Sequence, residues 1–306
     1  MSPGTEGRRA PMNKQAATEA ITVITVTRER PALLRRAIRS VLVQDYRGPT
    51  THLVLVDGCP ATISWLRSAR PGPLSWMMVP RCPGQRSGPA RLAKLRNLAV
   101  RLVKTRWMAF LDDDNEYEIN HLSSLMACAQ SSGSPAVHSQ RTICWSDGQP
   151  YLEQRMPWKR DKQLGGLIYK DLCDKGVFTP GSNVVRDRAD PKGHPGPARM
   201  VDTSEWLFRR RLLLEMPFSE TYSLQDWMEV IPEDNKLLQR LVAEEIPIVG
   251  TGLPTLRYYL GGYSNAFEGG EATGGLWQPP EQAGPLIGTA ALLAVARTLN
   301  RCCTDP

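Results

Sequence analysis

The first half of the chain alternates between short apolar runs and longer stretches in which apolar residues recur at helical spacing. Consecutive apolar residues of this kind predict buried strands, and they occupy residues 21–26, 52–57, 74–79 and 107–111. Apolar positions three and four residues apart predict helices that begin at Pro31 and at Pro89, and a third helix over 119–129. Strands that alternate with helices indicate a three-layer α/β sandwich whose central sheet is mixed but mostly parallel.

The second half of the chain has a weaker pattern. Prolines and glycines among charged residues predict a loop over 187–198. A threonine or serine cap predicts a helix over 203–215, and Pro232 begins another helix. Two late apolar runs predict strands over 246–249 and 255–260.

A length of 306 residues allows one large α/β domain or two small ones, and 41% hydrophobic content is enough to bury a sizeable core. We expect one large domain over 21–265, after a flexible tail over 1–20. A Gly- and Pro-rich extension with a short apolar helix is expected over 266–306. No apolar run reaches the roughly 18–20 residues that cross a bilayer, and residues 1–20 contain no apolar leader. A cytoplasmic protein with reduced thiols is therefore expected.

The net charge is +7 and the pI is about 9.1, which is typical of proteins with an anionic partner. A nucleotide or an acidic membrane surface would satisfy this charge, so peripheral membrane contact is compatible with it. A GC-rich genome would produce the same excess of arginine without any partner. Nucleic acid is not expected as a partner, because a nucleic-acid-binding module does not need the acidic residues described next.

Three consecutive carboxylates, Asp112 to Asp114, follow the apolar run over 107–111. They cannot enter the core unpaired, because burying one bare carboxylate costs several kcal/mol. At the carboxyl end of a strand they would face a cation or a ligand, and Mg²⁺ or Mn²⁺ typically takes one or two carboxylates together with substrate phosphates. The alternative interpretation is a solvated acidic turn.

Other residues of candidate chemistry are expected at the same edge of the sheet. Asp57 also ends a strand, where it either serves a ligand N–H or hydroxyl group or simply forms an Asp-Gly turn. Glu233 and Asp234 follow Pro232, where acids favour a helix start or serve as a general base. Four arginines near the helix that begins at Pro89 either form a solvated face or supply a diphosphate ligand: Arg86, Arg91, Arg96 and Arg101.

The ordered set of these motifs resembles family 2 glycosyltransferases, which are inverting enzymes of the Rossmann-like GT-A fold that use nucleotide-sugar donors. The resemblance covers residues of about 20–260. It is carried by residues 21–31, with Ser40-Val-Leu-Val-Gln44, and by Leu53-Val-Leu-Val-Asp57-Gly, Ala90-Arg-Leu-Ala-Lys-Leu-Arg-Asn97, Phe110-Leu-Asp-Asp-Asp-Asn115 and Pro232-Glu-Asp234. It implies a nucleotide-binding half over 21–115 and an acceptor half over 116–265.

The resemblance also implies roles for individual residues. Mn²⁺ or Mg²⁺ would be held by Asp112 and Asp114, with Asp114 as the direct ligand. Asp234 would be the catalytic base, with Glu233 beside it in the same motif. The nucleoside and diphosphate would be held by six residues: Thr27, Arg28, Glu29, Asp57, Arg91 and Asp113, the last of these at the ribose.

The resemblance favours a UDP-sugar as donor and a sugar, natural product or cell-surface glycan as acceptor. Two positions depart from the family pattern. Glu29 stands where an asparagine is common, and Gly58 stands where a second acid is common and contacts the base. Trp206 and Phe208 either shape the acceptor side or pack inside. A sugar-nucleotide nucleotidyltransferase and a non-catalytic nucleotide-sugar binder are the alternative functions.

Overall fold

The computed structural model describes residues 18–82, 88–159, 161–189, 200–228 and 231–262. Nearly all of the predicted N-terminal tail and the whole predicted extension over 266–306, including its apolar helix, lie outside these ranges. Most of the loop predicted over 187–198 also lies outside them. Within them, no helix has both the length and the apolar character that crossing a membrane requires.

The described residues form an alternating series of strands and helices, joined to a less regular second half. The strands are β1 (Ile21–Thr27), β2 (Thr50–Asp57), β3 (Ser75–Val79), β4 (Trp107–Phe110), β5 (Glu116–Tyr117), β6 (Ala136–Cys144), β7 (Val184–Val185), β8 (Trp206–Arg209) and β9 (Ile248–Tyr259). The helices are α1 (Pro31–Leu42), α2 (Pro60–Ala69), α3 (Pro89–Leu102), α4 (His121–Ser132), α5 (Lys162–Asp174), α6 (Arg210–Glu215), α7 (Leu224–Met228) and α8 (Glu233–Ala243). A short 3-10 turn, Thr203–Glu205, precedes β8.

The strands form one mixed sheet with the order β3-β2-β1-β4-β8-β6-β9-β5, and β7 pairs with β6. The pairs β2–β3, β1–β2, β1–β4 and β6–β9 are parallel, while β8 is antiparallel to both β4 and β6. The carboxyl ends of β1, β2, β4, β6 and β9 therefore meet at one edge. The amino end of β8 lies at the same edge.

Helices cover both faces of this sheet, because each presents one apolar stripe to it. On one face, α3, α6 and α8 pack against β1, β4 and β8 around Phe110 and Phe208, which are 1% exposed. On the other face, α1 and α4 pack against β1, β4 and β6. Burial of one such aromatic side chain contributes about 1.5–3 kcal/mol. The predicted three-layer α/β sandwich is confirmed.

The prediction of a single helix over 203–215 is wrong. In this segment only α6 is an α-helix, and the residues before it form the 3-10 turn and β8. The cap that suggested a long helix belongs to the turn, where Asp202 is the actual capping residue. Trp206 and Phe208 are 3% and 1% exposed in the core between β4 and β6, so they do not shape an acceptor surface.

The two late strands predicted over 246–249 and 255–260 are one strand, β9. Its pairing with β6 shifts register between His138 and Arg141, which accommodates the polar and glycine-containing stretch between the two apolar runs. That stretch interrupted the apolar pattern, and the single strand was therefore not apparent from the sequence.

Candidate active site

The predicted carboxylates meet at the carboxyl edge of the sheet. Thr27 ends β1 and Asp57 ends β2, while Asp112 to Asp114 follow β4. Parallel pairing places Thr27 opposite Val56, and Leu111 donates its backbone N–H to the carbonyl of Ile24. The amino end of α8 brings Glu233 and Asp234 to the same place, because α8 packs beside α3 on one face of the sheet.

The three consecutive carboxylates face different surroundings. The side chains of Asp112 and Asp114 are 34% and 14% exposed, whereas Asp113 is completely enclosed. Thr27 donates its hydroxyl hydrogen to Oδ2 of Asp113 at 2.6 Å, and a guanidinium nitrogen of Arg30 lies 2.5 Å from Oδ1. Burial raises the pKa of Asp113 to about 7, although Arg30 opposes this shift. A ribose contact at Asp113 would require this enclosure to open, and that role stays a prediction.

Arg30 also contacts the third carboxylate, with its Nη1 2.9 Å from Oδ2 of Asp114. Arg36 donates to the backbone carbonyl of Asp114 at 2.5 Å and lies 3.7 Å from the ring centroid of Tyr259. Burial raises the pKa of Asp114, and the charge of Arg30 opposes the shift. Neither arginine was singled out from the sequence. Their positions around the start of α1, directly after a strand that ends at the site, were the available indication.

Asp57 is held by two arginines. Arg91 donates from Nε and Nη2 to Oδ1 of Asp57 at 2.9 and 2.6 Å, and Arg81 contacts Oδ2. Gly58 adopts φ +63°, and a Cβ there would lie 2.5 Å from Cγ of Arg81. The departure from the family pattern at position 58 thus has a physical reason, because Arg81 occupies the space that a second acidic side chain would need.

Arg96 joins two carboxylates that are far apart in sequence. Its guanidinium lies 2.8 Å from Oδ1 of Asp112 and also contacts Oε1 of Glu233. The charge is enclosed, since Arg96 is 3% exposed and Glu233 is 5% exposed. Burial raises the pKa of Glu233 to about 7, although Arg96 opposes the shift. Arg91 and Arg96 are therefore both buried partners of acids, and the solvated-face interpretation is wrong for these two.

Asp234 is less tightly held than Glu233. It is partly exposed, and one oxygen accepts a hydrogen bond from the hydroxyl of Thr203 at 3.1 Å. The other oxygen accepts from the backbone N–H of Asn235 at 2.7 Å. Burial raises the pKa of Asp234, and the charge of Arg96 is the largest opposing effect. A carboxylate with a raised pKa that still faces solvent is suited to accept a proton.

Two predicted nucleotide-binding residues lie apart from this cluster. The side chains of Arg28 and Glu29 are 38% and 54% exposed and pair with each other at 3.0 Å. Glu29 adopts φ +57°, a left-handed conformation that favours glycine or asparagine. An asparagine, which the resemblance gives as common at this position, would also tolerate this conformation. The nucleotide role of both residues stays a prediction.

A divalent metal would find an incomplete set of ligands here. The described residues contain no group of three or more His, Cys, Asp or Glu side chains arranged to hold an ion. The hydrogen bond from Arg96 goes to Oδ1 of Asp112, whose side chain is 34% exposed, and the side chain of Asp114 is 14% exposed. One or two carboxylates completed by phosphate oxygens are typical of Mg²⁺ sites, so the donor set fits a metal that arrives with a diphosphate. Arg30 would compete with that metal for Asp114.

A curled, mostly parallel sheet with acids at its carboxyl edge defines a protein of the GT-A class, and the predicted fold class is confirmed. The family model described as Glycosyl transferase family 2 matches residues 22–192, which is more than half of the chain. The chain belongs to this family of glycosyltransferases, and the assignment made from the sequence is confirmed.

Solved structures of similar fold include TarS 1-349 from S. aureus, with a TM-score of 0.50 and 15% identity. The match covers 78% of this chain and 60% of the TarS chain, so this chain spans less than two thirds of that length. TarS 1-349 in complex with UDP-GlcNAc has a TM-score of 0.49, 15% identity and coverages of 78% and 58%. The mannosyltransferase PcManGT from Pyrobaculum calidifontis, in complex with GDP-Man and Mn2+, has a TM-score of 0.47, 15% identity and coverages of 78% and 56%. Comparison with curated proteins gives no match.

Proposed function

We propose that this chain transfers a sugar from a nucleoside-diphosphate donor, with UDP favoured, to a hydroxyl group of a sugar, natural-product or glycan acceptor. The observation that carries the proposal is the contact of Arg96 with both Asp112 and Glu233. It joins the acidic motif after β4 to the acidic motif that begins α8, and thus puts a candidate base beside a candidate diphosphate site. Family membership supports the same chemistry.

The proposed reaction is a single displacement with inversion. Asp234 removes the proton from the acceptor hydroxyl while that oxygen bonds to the anomeric carbon. The bond between the anomeric carbon and the diphosphate oxygen breaks, and the electron pair leaves with the diphosphate. Asp234 is the better base of its motif, because Glu233 is enclosed with Arg96 whereas Asp234 is partly exposed.

The donor would lie across the carboxyl edge, with Asp57 and Arg91 towards the nucleoside. Arg30 and Arg36 offer positive charge beside Asp114, and an arginine fork suits a diphosphate. A divalent cation held by Asp112 and Asp114 would offset the negative charge that develops on the departing diphosphate. The acceptor would approach from the side of α8, where Asp234 meets solvent.

The proposal is tested by calorimetric titration of UDP-, GDP- and dTDP-sugars, each with and without Mn²⁺. We expect the sugars of one nucleotide series to bind. Transfer of the sugar to water or to an added acceptor should require a donor of the same series. A nucleotidyltransferase would instead release pyrophosphate from a nucleoside triphosphate and a sugar phosphate. Binding without any transfer would indicate a non-catalytic nucleotide-sugar binder, and binding of no sugar nucleotide would contradict the proposal.

Metal dependence gives a sharper prediction for Asp114. In the unmodified protein we expect Mn²⁺ to tighten nucleotide binding at least about tenfold, which is roughly 1.4 kcal/mol. In Asp114→Ala this dependence should disappear, because one of the two carboxylate ligands is lost. The measurement is nucleotide affinity at increasing Mn²⁺. The control is Asp45→Ala, which removes an exposed acid after α1. Its nucleotide affinity should depend on Mn²⁺ as that of the unmodified protein does. An unchanged metal titration in Asp114→Ala would count against this ligand.

A further inference from the structure

The turn between Asp202 and Glu205 is fixed by its own hydrogen bonds. The backbone N–H of Ser204 donates to Oδ1 of Asp202 at 2.9 Å, and the backbone N–H of Asp202 donates to Oε1 of Glu205 at 3.1 Å. This reciprocal arrangement is a capping box, which normally begins a helix. Here it holds three residues only, because Trp206 then enters β8 and is buried in the core.

A buried ion cluster holds the turn from behind. Arg141 on β6 contacts Glu205 and lies 2.6 Å from a carboxylate oxygen of Asp187, and it donates to the carbonyl of Met200 at 3.0 Å. The side chains of Arg141, Asp187 and Glu205 are 3% exposed or less. If the turn moved away, Glu205 would separate from Arg141 and a buried charge would be left uncompensated. The turn therefore has little freedom to move.

The front of the same turn meets both acidic motifs. Thr203 is 3% exposed, and its hydroxyl donates to Oδ2 of Asp234 at 3.1 Å. The hydroxyl oxygen of the next residue, Ser204, accepts the backbone N–H of Asp112 at 3.1 Å. The turn therefore fixes the candidate base relative to the acids after β4 by direct contact with each.

We propose that Thr203 is a positioning residue whose hydroxyl orients Asp234 towards the acceptor and stabilises its ionised form. This inference rests on the proposed function, in which Asp234 is the base. A hydroxyl that donates to a carboxylate favours the charged form and restricts its rotation. The β-branched side chain of threonine has few χ1 choices, so its own direction is well defined.

Other groups act on Asp234 as well, and the test must separate them from Thr203. Arg96 opposes the effect of burial on the pKa of Asp234, and nearby acids act in the other direction. The titratable and charged groups that influence or are influenced by Asp234 come from five separate parts of the chain and are Arg96, Asp112, Asp202, Tyr222 and Glu233. None of these is changed when the hydroxyl of Thr203 alone is removed.

The experiment compares Thr203→Val, which keeps the shape but loses the hydroxyl, with Thr203→Ser, which keeps the hydroxyl. Steady-state transfer is measured with the donor identified by the binding screen, over a range of pH. For Thr203→Val we expect kcat to fall about tenfold, the effect of one hydrogen bond to a charged group, with donor KM unchanged. The acid limb of the kcat profile should move to higher pH, because loss of the hydrogen bond raises the pKa of Asp234.

Thr203→Ser should restore both the rate and the position of the acid limb. If Thr203→Val does not fold, Thr203→Ala, which needs no additional space, takes its place. Equal kcat and equal pH profiles in the valine and serine variants would overturn the inference while leaving the proposed function intact. Failure of the proposed function has a different result, namely that the unmodified protein neither binds a sugar nucleotide nor transfers a sugar. Full transfer by Asp234→Asn would contradict the role of Asp234 as base.

Discussion

Replacement of Asp234 by asparagine is expected to reduce kcat by about 10²–10⁴-fold, the usual contribution of a general base. Asparagine keeps the shape of the side chain, and its single amide oxygen can accept one of the two hydrogen bonds, from Thr203 or from the backbone N–H of Asn235. It cannot take a proton from the acceptor hydroxyl. Nucleotide affinity should be nearly unchanged, because the proposed nucleotide residues lie at the ends of β1, β2 and β4 and on α3, whereas Asp234 lies on α8. The measurements are steady-state transfer and calorimetric nucleotide binding.

The matched control is Glu244→Gln, which removes one negative charge from an exposed residue at the other end of α8. It should retain normal kcat and normal binding. The unmodified enzyme should lose activity as pH falls, since a base must be ionised, and burial places this loss above the ordinary range of an aspartate. Equal loss of transfer and nucleotide binding in Asp234→Asn would remove Asp234 from the role of base.

Strands β1 to β4 and helices α1, α3 and α4 were predictable because their apolar patterns are unbroken, whereas α2, which lies between β2 and β3, was not predicted. In β4 every residue is buried, and the apolar run over 107–111 is correspondingly continuous. In β9 the burial pattern is irregular, with exposed residues in the middle, so two short strands were predicted where one exists. Strand β8 was mistaken for a helix because its Trp-Leu-Phe run is short and directly follows a capping sequence.

The acids of the site were predictable, but their partners were not. A carboxylate at the end of an apolar strand must face solvent, a cation or an arginine, and the local sequence does not choose among these. Arg30 lies next to Asp113 and Asp114 only because β1 pairs with β4, and Arg96 meets Glu233 only because α3 packs beside α8. The interpretation of Arg96 as a solvated residue agreed with the local sequence, but it is wrong because the fold buries this side chain.

Replacement of Arg96 by methionine is expected to lower the free energy of unfolding by about 3–5 kcal/mol at pH 8, the usual cost of leaving a buried charge without its partner. Methionine retains length and apolar contact with Phe218, whose ring lies 5.7 Å from the guanidinium carbon. What is lost is the cation beside Glu233, which is 5% exposed. The measurement is urea-induced unfolding at several pH values, with Arg101→Met, an exposed change on the same helix, as control.

The pH dependence identifies the cause of this loss. Burial raises the pKa of Glu233 to about 7 even with Arg96 present, and removal of the cation must raise it further. A carboxyl whose folded pKa is raised loses stability as pH rises from its unfolded pKa to its folded pKa, and up to about pH 7 this loss is common to both proteins. The difference between variant and unmodified protein should therefore grow as pH rises through about 7, where the loss stops in the unmodified protein and continues in the variant. Adding Glu233→Gln to Arg96→Met should recover part of the loss at pH 8, because no buried charge then remains at Glu233. A loss of equal size at pH 5 and pH 8 would instead mean that Arg96 stabilises the fold by packing, and that its link between the two acidic motifs has no electrostatic role.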